Sequence, residues 1–359
     1  MRAQSLLPTD EHYEDVIEAI REGEVVMFLG AGASLCDRQA KSWTYADRKN
    51  LPTGSELAKY LANRFHYPYR EFESDCLCCL QRGRRRHRFK EEEDLLRVAQ
   101  YVEFSKQIGT LYRHLWCLFD RDYPPTSLHH LIAKIPEVLK SEEHQNPHVL
   151  ILTTNYDDLM ERAFEMAGEP VDVVYYVANG KLKGKFIHVI DGKRKPIDDP
   201  SSYTKISLTD KSIVFKVHGS VHRNPSEGHD DSFVITEDHY IDYLTRTDLR
   251  NIPMALAAQM RDKNFLFLGY SLRDWNLRAL FQHIWKEQTV LQQSWAILRD
   301  ADLLEAEFWD RRGIKLIQQD LKGYTQELAA RLTLRTGPKG RIPAKKRRSS
   351  KPKVAKAGG

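Results

Sequence analysis

The feature that most constrains the fold is the segment from Glu24 to Ser34, EVVMFLGAGAS, in which an apolar run leads directly into glycines. The run Val25–Leu29 predicts a buried β-strand, and Gly30-Ala31-Gly32-Ala33-Ser34 predicts a tight turn at its carboxyl end. Glycines lack a Cβ, so the chain can turn sharply and a ligand can approach the backbone. The pattern is typical of a phosphate-binding turn, although it also occurs in α/β proteins as a turn with no ligand.

Three later apolar segments also end in small or polar residues. The segment 148–153 leads into Thr154-Asn155-Tyr156-Asp157, Ile213–Val217 leads into His218-Gly219, and Asn264–Leu268 leads into Gly269-Tyr270-Ser271. Helical patterns separate these strands, including one at 275–287. Because parallel strands bring their carboxyl ends to one sheet edge, the sequence predicts an α/β fold, a Rossmann-like doubly wound parallel sheet with a nucleotide across that edge.

The chain divides into a folded part and a basic tail. Residues 1–334 are predicted to form one domain, with a helical insertion at about 53–145 and a smaller β-rich insertion at about 171–212. Residues 335–359 contain ten Lys and Arg and no acidic residue, so residues 1–334 carry 45 basic and 50 acidic residues and a net charge of −5. The tail cannot form an apolar core and is predicted to be disordered. It fits a contact with nucleic acid or an acidic partner, and equally a solubilising appendage.

Composition excludes several classes of protein. No apolar run approaches the ~20 residues that span a bilayer, so no membrane association is predicted. The N-terminus lacks the apolar core and cleavage site of a signal peptide, which predicts a cytoplasmic protein. The five cysteines are an odd number, and Cys76, Cys78 and Cys79 have no second CxxC pair at zinc-ribbon spacing. Neither a disulfide framework nor a bound metal is expected.

Taken together, GAGAS, TTNYD, HG and GYSLRD resemble the sirtuin (silent information regulator) superfamily, and more closely its bacterial sirtuin-like branch, which carries such motifs in this order. The resemblance covers roughly residues 16–330. It implies that NAD is the bound nucleotide and the substrate. It also implies that Asn155 and Asp157 lie beside the nicotinamide ribose, where Asn155 orients the water or the ribose, and that His218 is the general base.

The same resemblance implies which residues bind NAD. The turn after the first strand would hold the pyrophosphate, and the GYS turn would lie around the adenosine half. The predicted NAD-binding residues all lie at one of the four strand ends: Gly30, Ala31, Gly32, Ser34, Thr154, Gly219, Gly269 and Ser271.

These residue types suit cleavage of the nicotinamide–ribose bond, which leaves an oxocarbenium-like centre. Such a reaction needs a positioned nucleophile and a base of near-neutral pKa, which Asn155 and His218 can supply. Structural alternatives stay open for each residue. Asn155 is also a candidate helix N-cap, Asp157 and Asp158 can favour a helix dipole, and His218 can be a hydrogen-bonded histidine at a strand end.

The sequence departs from the protein deacylases of this superfamily, which usually carry a zinc ribbon of two CxxC pairs. Without a peptide acceptor, the resemblance implies that water attacks and that NAD is hydrolysed to ADP-ribose and nicotinamide. It further implies an antiphage effector of abortive infection that forms a homo-oligomer or works with a partner ATPase, nuclease or Argonaute-like protein. Two other hypotheses stay open: an NAD-dependent protein deacylase, and a non-catalytic module that senses NAD or ADP-ribose.

Overall fold

The computed structural model describes residues 6–39, 42–68, 91–106, 108–144, 146–221, 232–246, 252–261, 263–272, 293–301 and 303–334. Several sequence predictions lie outside these residues. They are the helix at 275–287, the last two residues of the GYSLRD motif, the cysteines at 76, 78 and 79, and the tail at 335–359.

The described chain alternates helices and strands. The helices are α1 (Asp10–Arg21), α2 (Gly54–Phe65), α3 (Leu95–Lys106), α4 (Ile108–Phe119), α5 (Ser127–Ser141), α6 (Leu159–Ala167), α7 (Glu237–Arg246), α8 (Met254–Arg261), α9 (Leu303–Asp310) and α10 (Leu321–Leu334). The strands are β1 (Val25–Leu29), β2 (Leu150–Thr153), β3 (Val171–Tyr176), β4 (Phe186–Ile190), β5 (Lys193–Ile197), β6 (Ser212–Lys216), β7 (Gly219–Ser220), β8 (Ser232–Phe233), β9 (Asn264–Leu268), β10 (Ser294–Leu298) and β11 (Ile314–Gln318).

Nine of these strands form one sheet in the order β11-β10-β9-β1-β2-β6-β3-β4-β5. The seven strands from β11 to β3 pair in parallel, and β4 and β5 extend the sheet in antiparallel pairs. Strands β2 to β6 lie on one side of β1, and the later strands β9, β10 and β11 lie on its other side. The direction in which strands are added to the sheet therefore reverses between β1 and β9. This arrangement confirms the predicted Rossmann-like doubly wound sheet, and the carboxyl edge at such a reversal is where α/β proteins bind ligands.

Helices cover both faces of the sheet because the side chains of each strand alternate between them. In β1, Val26 and Phe28 pack into a core that includes residues of α7 and α8. Val25, Met27 and Leu29 pack into a second core with residues of α1, α5, α6 and α10. All five residues of β1 are buried, as expected of a central parallel strand.

The two predicted insertions relate differently to the sheet. Helices α2, α3 and α4 share a separate apolar core, whereas α5 packs against α6 and α10 on the sheet. Strand β3 pairs with β6, so the region 171–212 lengthens the main sheet at its edge. This region contains a β-hairpin: Asp191 and Gly192 have φ of 48° and 73° between the paired residues Ile190 and Lys193.

Local sequence signals place several element ends correctly. The Thr9 hydroxyl accepts a hydrogen bond from the His12 N–H at 3.2 Å and caps α1. Glu91–Glu93 form a short 3-10 turn, and helix α3 begins only at Leu95. None of the helices within the described ranges has the length and apolar character needed to cross a lipid bilayer.

Candidate functional site

The glycine turn after β1 folds into a short 3-10 helix, Ala31–Leu35. Its N–H groups already have partners at three positions: Gly30 donates to the carbonyl of Leu268 at 3.1 Å, Gly32 to Gly269 at 2.8 Å, and Ala33 to Gly30 at 2.9 Å. The turn therefore offers a phosphate fewer N–H donors than a fully open phosphate-binding loop.

The glycines of this turn are required by the backbone of a neighbouring strand end. A Cβ on Gly30 would lie 2.6 Å from the Gly269 carbonyl oxygen, and one on Gly32 would lie 2.7 Å from the same atom. Gly269 has a φ of +69°, and a Cβ there would lie 2.3 Å from the Ala33 nitrogen. The turns after β1 and β9 can thus touch only because all three residues lack side chains.

Asn155 lies at the centre of a hydrogen-bond chain at the carboxyl ends of β1 and β2. Its Nδ2 donates to the Gly30 carbonyl at 3.0 Å and to the Ser34 hydroxyl at 3.2 Å, and Ser34 donates to Asp157 Oδ2 at 2.9 Å. The Gly30 carbonyl only accepts, so the amide orientation is fixed and Oδ1 faces elsewhere. Within the described ranges Oδ1 has no hydrogen-bond partner of its own.

Asp157 is buried at the start of α6. Burial raises the pKa of its carboxyl group to about 6, against the opposing effects of the Lys216 charge, the Ser34 hydroxyl and the Leu159 N–H. Its Oδ1 accepts a hydrogen bond from the Leu159 N–H at 3.2 Å, so Asp157 satisfies a donor of the first turn. The alternative interpretation of Asn155 as the helix N-cap is wrong, because that position belongs to Asp158 and the Asn155 side chain bonds elsewhere.

His218 follows β6 and is 3% exposed. Its ring lies between two tyrosines of α7, with centroid distances of 5.1 Å to Tyr240 and 5.6 Å to Tyr243. The Tyr240 hydroxyl is 3.4 Å from His218 Nδ1, and the His218 carbonyl accepts a hydrogen bond from the Val234 N–H at 2.8 Å. Both the ring and the main chain of His218 are therefore held in place.

Gly219 makes the next turn possible. It pairs with Phe233 in the short ladder of β7 and β8, and its φ is +97°. A Cβ at this position would lie 1.9 Å from the Ser232 carbonyl oxygen. Gly219 therefore permits β8 to approach directly beside His218.

Two cavities open at the carboxyl edge of the sheet. The first cavity, of about 160 Å³, is lined by six of the residues predicted from the sequence: Ala31, Ser34, Thr154, Asn155, Asp157 and His218. The second cavity, of about 380 Å³, lies at the ends of β9, β10 and β11 and is lined by Gly32, Gly269 and Ser271. Among the described lining residues neither cavity includes Gly30 or Gly219, whose roles lie in the backbone contacts above.

The remaining wall of the first cavity comes mainly from the helical insertion and the loop before it. These residues are Leu51, Pro52, Thr53, Gly54, Leu57, Leu95, Phe119, Tyr156 and Tyr240. Glu56 anchors the loop: it receives two hydrogen bonds from Arg38 at 2.7 and 2.6 Å and others from the Trp43 and Thr53 N–H groups. The Arg38 guanidinium is the main reason that the pKa of Glu56 falls to about 2.

Sequence reasoning missed several residues around the site. In the second cavity these are Cys36, Arg299, Asp300, Gln319, Asp320 and Lys322, and most of them closely follow strands β10 and β11. The other is Lys216, a charge inside the apolar run IVFKV and therefore a visible anomaly in a buried strand. No group of three or more His, Cys, Asp or Glu suited to a metal ion occurs among the residues described.

Comparison with known proteins gives a consistent family. Residues 149–317 match the SIR2-like domain family. The chain is 28% identical over 196 residues to the NAD(+) hydrolase ThsA of Bacillus cereus (strain MSX-D12), covering 54% of this chain and 32% of that protein. A ThsA of Acinetobacter baumannii (strain 532279) matches at 28% over 197 residues, with the same coverage. Defense-associated sirtuin 2 of Bacillus subtilis matches at 22% over 312 residues, or 86% of this chain and 24% of that protein.

The chain spans a third or less of the length of these relatives. The matches confirm the resemblance to the sirtuin superfamily and to its bacterial, defence-associated branch that the four motifs predict.

Proposed function

We propose that this chain, which carries a sirtuin-like domain, hydrolyses NAD to ADP-ribose and nicotinamide. The observation that carries the proposal is the first cavity, in which Ser34, Asn155, Asp157 and His218 meet from the ends of three different strands. The names of the two ThsA proteins support NAD as the substrate.

The chemistry follows from the properties of these side chains. Cleavage of the bond between nicotinamide and ribose leaves positive charge on the ribose, and a buried carboxylate beside it stabilises that charge. Asp157, with a pKa of about 6, is mainly ionised at neutral pH and can serve in this way. The Asn155 Oδ1 is the acceptor that orients a ribose hydroxyl or the attacking water, and His218 accepts the proton that the nucleophile releases.

The remaining assignments concern binding. In this proposal the turn containing Ala31, Gly32 and Ser34 holds the pyrophosphate, with Thr154 beside it. Gly269 and Ser271 border the adenosine half, for which the size of the second cavity gives support. Gly30 and Gly219 contribute by letting neighbouring strand ends approach, as their tight backbone contacts suggest.

Water is the acceptor that the cavity favours over an acylated lysine. Apolar side chains of the helical insertion, Leu57, Leu95 and Phe119, contribute to the wall of the first cavity. A peptide acceptor would have to reach the ribose past that wall, whereas a water molecule needs only a small space beside it. This geometry supports hydrolysis over protein deacylation.

The cellular role is also a proposal. The name of the Bacillus subtilis relative supports a role in defence, which we infer to be defence against phage. We infer an effector that depletes NAD in the cytoplasm and causes abortive infection. It would act as a homo-oligomer or with a partner ATPase, nuclease or Argonaute-like protein, and the basic tail would contact nucleic acid.

The test measures nicotinamide release from NAD by the purified chain, alone and with a candidate partner protein. Asn155→Ala and His218→Ala should each abolish release while NAD binding, measured by calorimetry, persists. Asn179→Ala and His130→Ala are matched controls away from the cavity, and both should keep the activity of the unchanged chain. Full activity in both cavity variants would rule out the assignment.

The same assay separates the alternative functions. A protein deacylase would release nicotinamide only when an acylated peptide is present. A sensing module would bind NAD or ADP-ribose saturably and release no nicotinamide with any partner.

A further inference from the structure

Lys216 is an unusual residue for the end of a central strand, since it is fully buried. Its Nζ donates to the Asp157 carbonyl oxygen at 2.5 Å and to Glu161 Oε1 at 2.7 Å. The second carboxylate oxygen of Glu161 is buried and has no hydrogen-bond partner among the residues described. Burying such a pair costs desolvation energy that the ionic attraction only partly offsets, so stability alone is a poor reason for it.

The position of Lys216 suggests a different reason. Lys216 pairs with Thr153 in the register of β2 and β6, and the turn Thr154–Asp157 begins directly after Thr153. Three hydrogen bonds join the end of β2 and this turn to the end of β6 and the segment that follows it. Two are made by the main chain, from the Val217 N–H to Thr153 at 3.0 Å and from the Val221 N–H to Tyr156 at 2.9 Å. The third comes from the Lys216 side chain.

We propose that Lys216, anchored by Glu161, is a positioning residue that holds the Thr154–Asp157 turn so that Asn155 and Asp157 face His218 across the first cavity. This inference rests on the proposed function for its catalytic consequence. Its structural part stands independently: without the ammonium group the Asp157 carbonyl loses its donor, and the hydrogen-bond chain through Ser34 to Asn155 loses its anchor.

The charges around Asp157 make the proposal testable, because they predict the direction in which the pKa of Asp157 changes in each variant. The Lys216 ammonium from β6 lowers the pKa of Asp157, and the Glu161 carboxylate from α6 raises it. The 3-10 turn after β1 contributes the neutral Ser34 hydroxyl, and His218 lies across the same cavity. Removing the positive or the negative charge must therefore shift the pKa of Asp157 in opposite directions, which general damage to the fold would not do.

The experiment compares Lys216→Met and Glu161→Gln with the unchanged full chain. The 13C signal of the Asp157 carboxyl group, assigned with Asp157→Asn, is titrated, and the side-chain amide signal of Asn155 is followed by NMR. In Lys216→Met we expect the pKa of Asp157 to rise by about 1 unit or more and the Asn155 signal to move. In Glu161→Gln we expect the pKa of Asp157 to fall. If Lys216→Met does not fold, the Glu161→Gln variant alone tests the proposal.

Lys211→Met is the matched control. Lys211 directly precedes β6 and pairs with Asp172 at 3.0 Å and Asp191 at 2.9 Å, at the opposite end of the strand. We expect this variant to leave the Asp157 pKa and the Asn155 signal unchanged. Unchanged values in Lys216→Met as well, or shifts of the same sign in both charge variants, would overturn the proposal.

Activity provides the link to function. In Lys216→Met we expect kcat for nicotinamide release to fall by about 10- to 100-fold, because small displacements of a catalytic group are costly, with KM for NAD changing far less. Lys216→Arg should restore part of kcat. An unchanged kcat with a shifted Asp157 pKa would overturn the catalytic part. If the unchanged chain releases no nicotinamide with any partner, the proposed function fails, and the NMR measurements still decide the role of Lys216.

Discussion

The N–H group of Gly32 donates a hydrogen bond to the carbonyl oxygen of Gly269 at 2.8 Å, joining the turns after β1 and β9. This contact lies where the winding of the sheet reverses, and it changes the expected result of mutating the turn. If Gly30 served only to bind NAD, its replacement by valine would mainly prevent binding. In the structure the same change forces atoms into the Gly269–Tyr270 backbone.

We therefore predict that Gly30→Val and Gly32→Ala lower the free energy of unfolding by about 2 kcal/mol or more, as overpacking against fixed backbone does. Urea denaturation measures this change. Gly109→Ala is the control, because Gly109 lies in α4 and a Cβ added there would meet no atom within 4 Å. That variant should be unchanged or stabilised by up to about 1 kcal/mol. Normal stability in Gly32→Ala would mean that the two turns do not touch.

A second prediction concerns Gly219. Gly219→Ala should be less stable than Gly192→Ala, although both residues have positive φ. A Cβ at position 192 would meet no atom within 4 Å, so alanine there adds only the backbone strain of a positive φ, about 1–2 kcal/mol. A Cβ at position 219 would also collide with the backbone of Ser232. Thermal unfolding of the two variants gives the difference. Equal losses would contradict the close approach of β8.

Ser34→Ala tests the hydrogen-bond chain between Asn155 and Asp157. Loss of the hydroxyl removes a donor that lowers the pKa of Asp157, so that pKa should rise above about 6. If ionised Asp157 is required, the acid limb of the pH–rate profile for nicotinamide release should move to higher pH. Ser55→Ala, on the exposed side of α2, is the control and should leave the limb in place. An unmoved limb in Ser34→Ala would exclude Asp157 as the group that titrates.

The buried histidines predict that the fold loses stability in acid. Burial lowers the pKa of His129 to about 3 from 6.5, so between these values the unfolded chain binds a proton that the folded chain does not. The free energy of unfolding should therefore fall as the pH decreases through this range, by up to about 1.4 kcal/mol per pH unit for this residue. His12 and His239, with pKa values of about 4, act in the same direction.

The measurement is urea denaturation between pH 7.5 and 4.5. His129→Gln should flatten the pH dependence, since glutamine can still accept the hydrogen bond that His129 Nδ1 accepts from the Thr126 N–H at 3.1 Å. Asp157 opposes the histidines, because its raised pKa stabilises the folded chain as the pH falls from about 6 to 3.8. Asp157→Asn should accordingly steepen the loss. The opposite change in either variant would contradict these protonation states.

The sequence predicted the parts of the fold that depend on local pattern. Strand β9 has the predicted bounds, because its uninterrupted apolar run ends at Gly269. Six predicted residues line the first cavity because each lies within a few positions of a strand's carboxyl end, where parallel topology brings distant segments together.

What the sequence could not provide are contacts between residues far apart in the chain. The ammonium group of Lys216 meets Glu161, 55 positions away, and the pKa of Asp157 depends on both. The hydrogen bonds that hold Glu56 to Arg38 and Trp43 likewise depend on how the loop folds back. Such partners follow from packing, on which composition and periodicity give no information.

The central place of β1 has a consequence for the timing of folding. Val25 pairs with Asn264, so the ribosome must make most of the chain before β1 gains its second neighbour. Until then the glycine turn lacks its hydrogen-bond partner Gly269, and the turns after β1 and β9 cannot come together. A chain under synthesis therefore stays without a complete site, and any activity that depends on this site begins only after nearly the whole sheet has been translated.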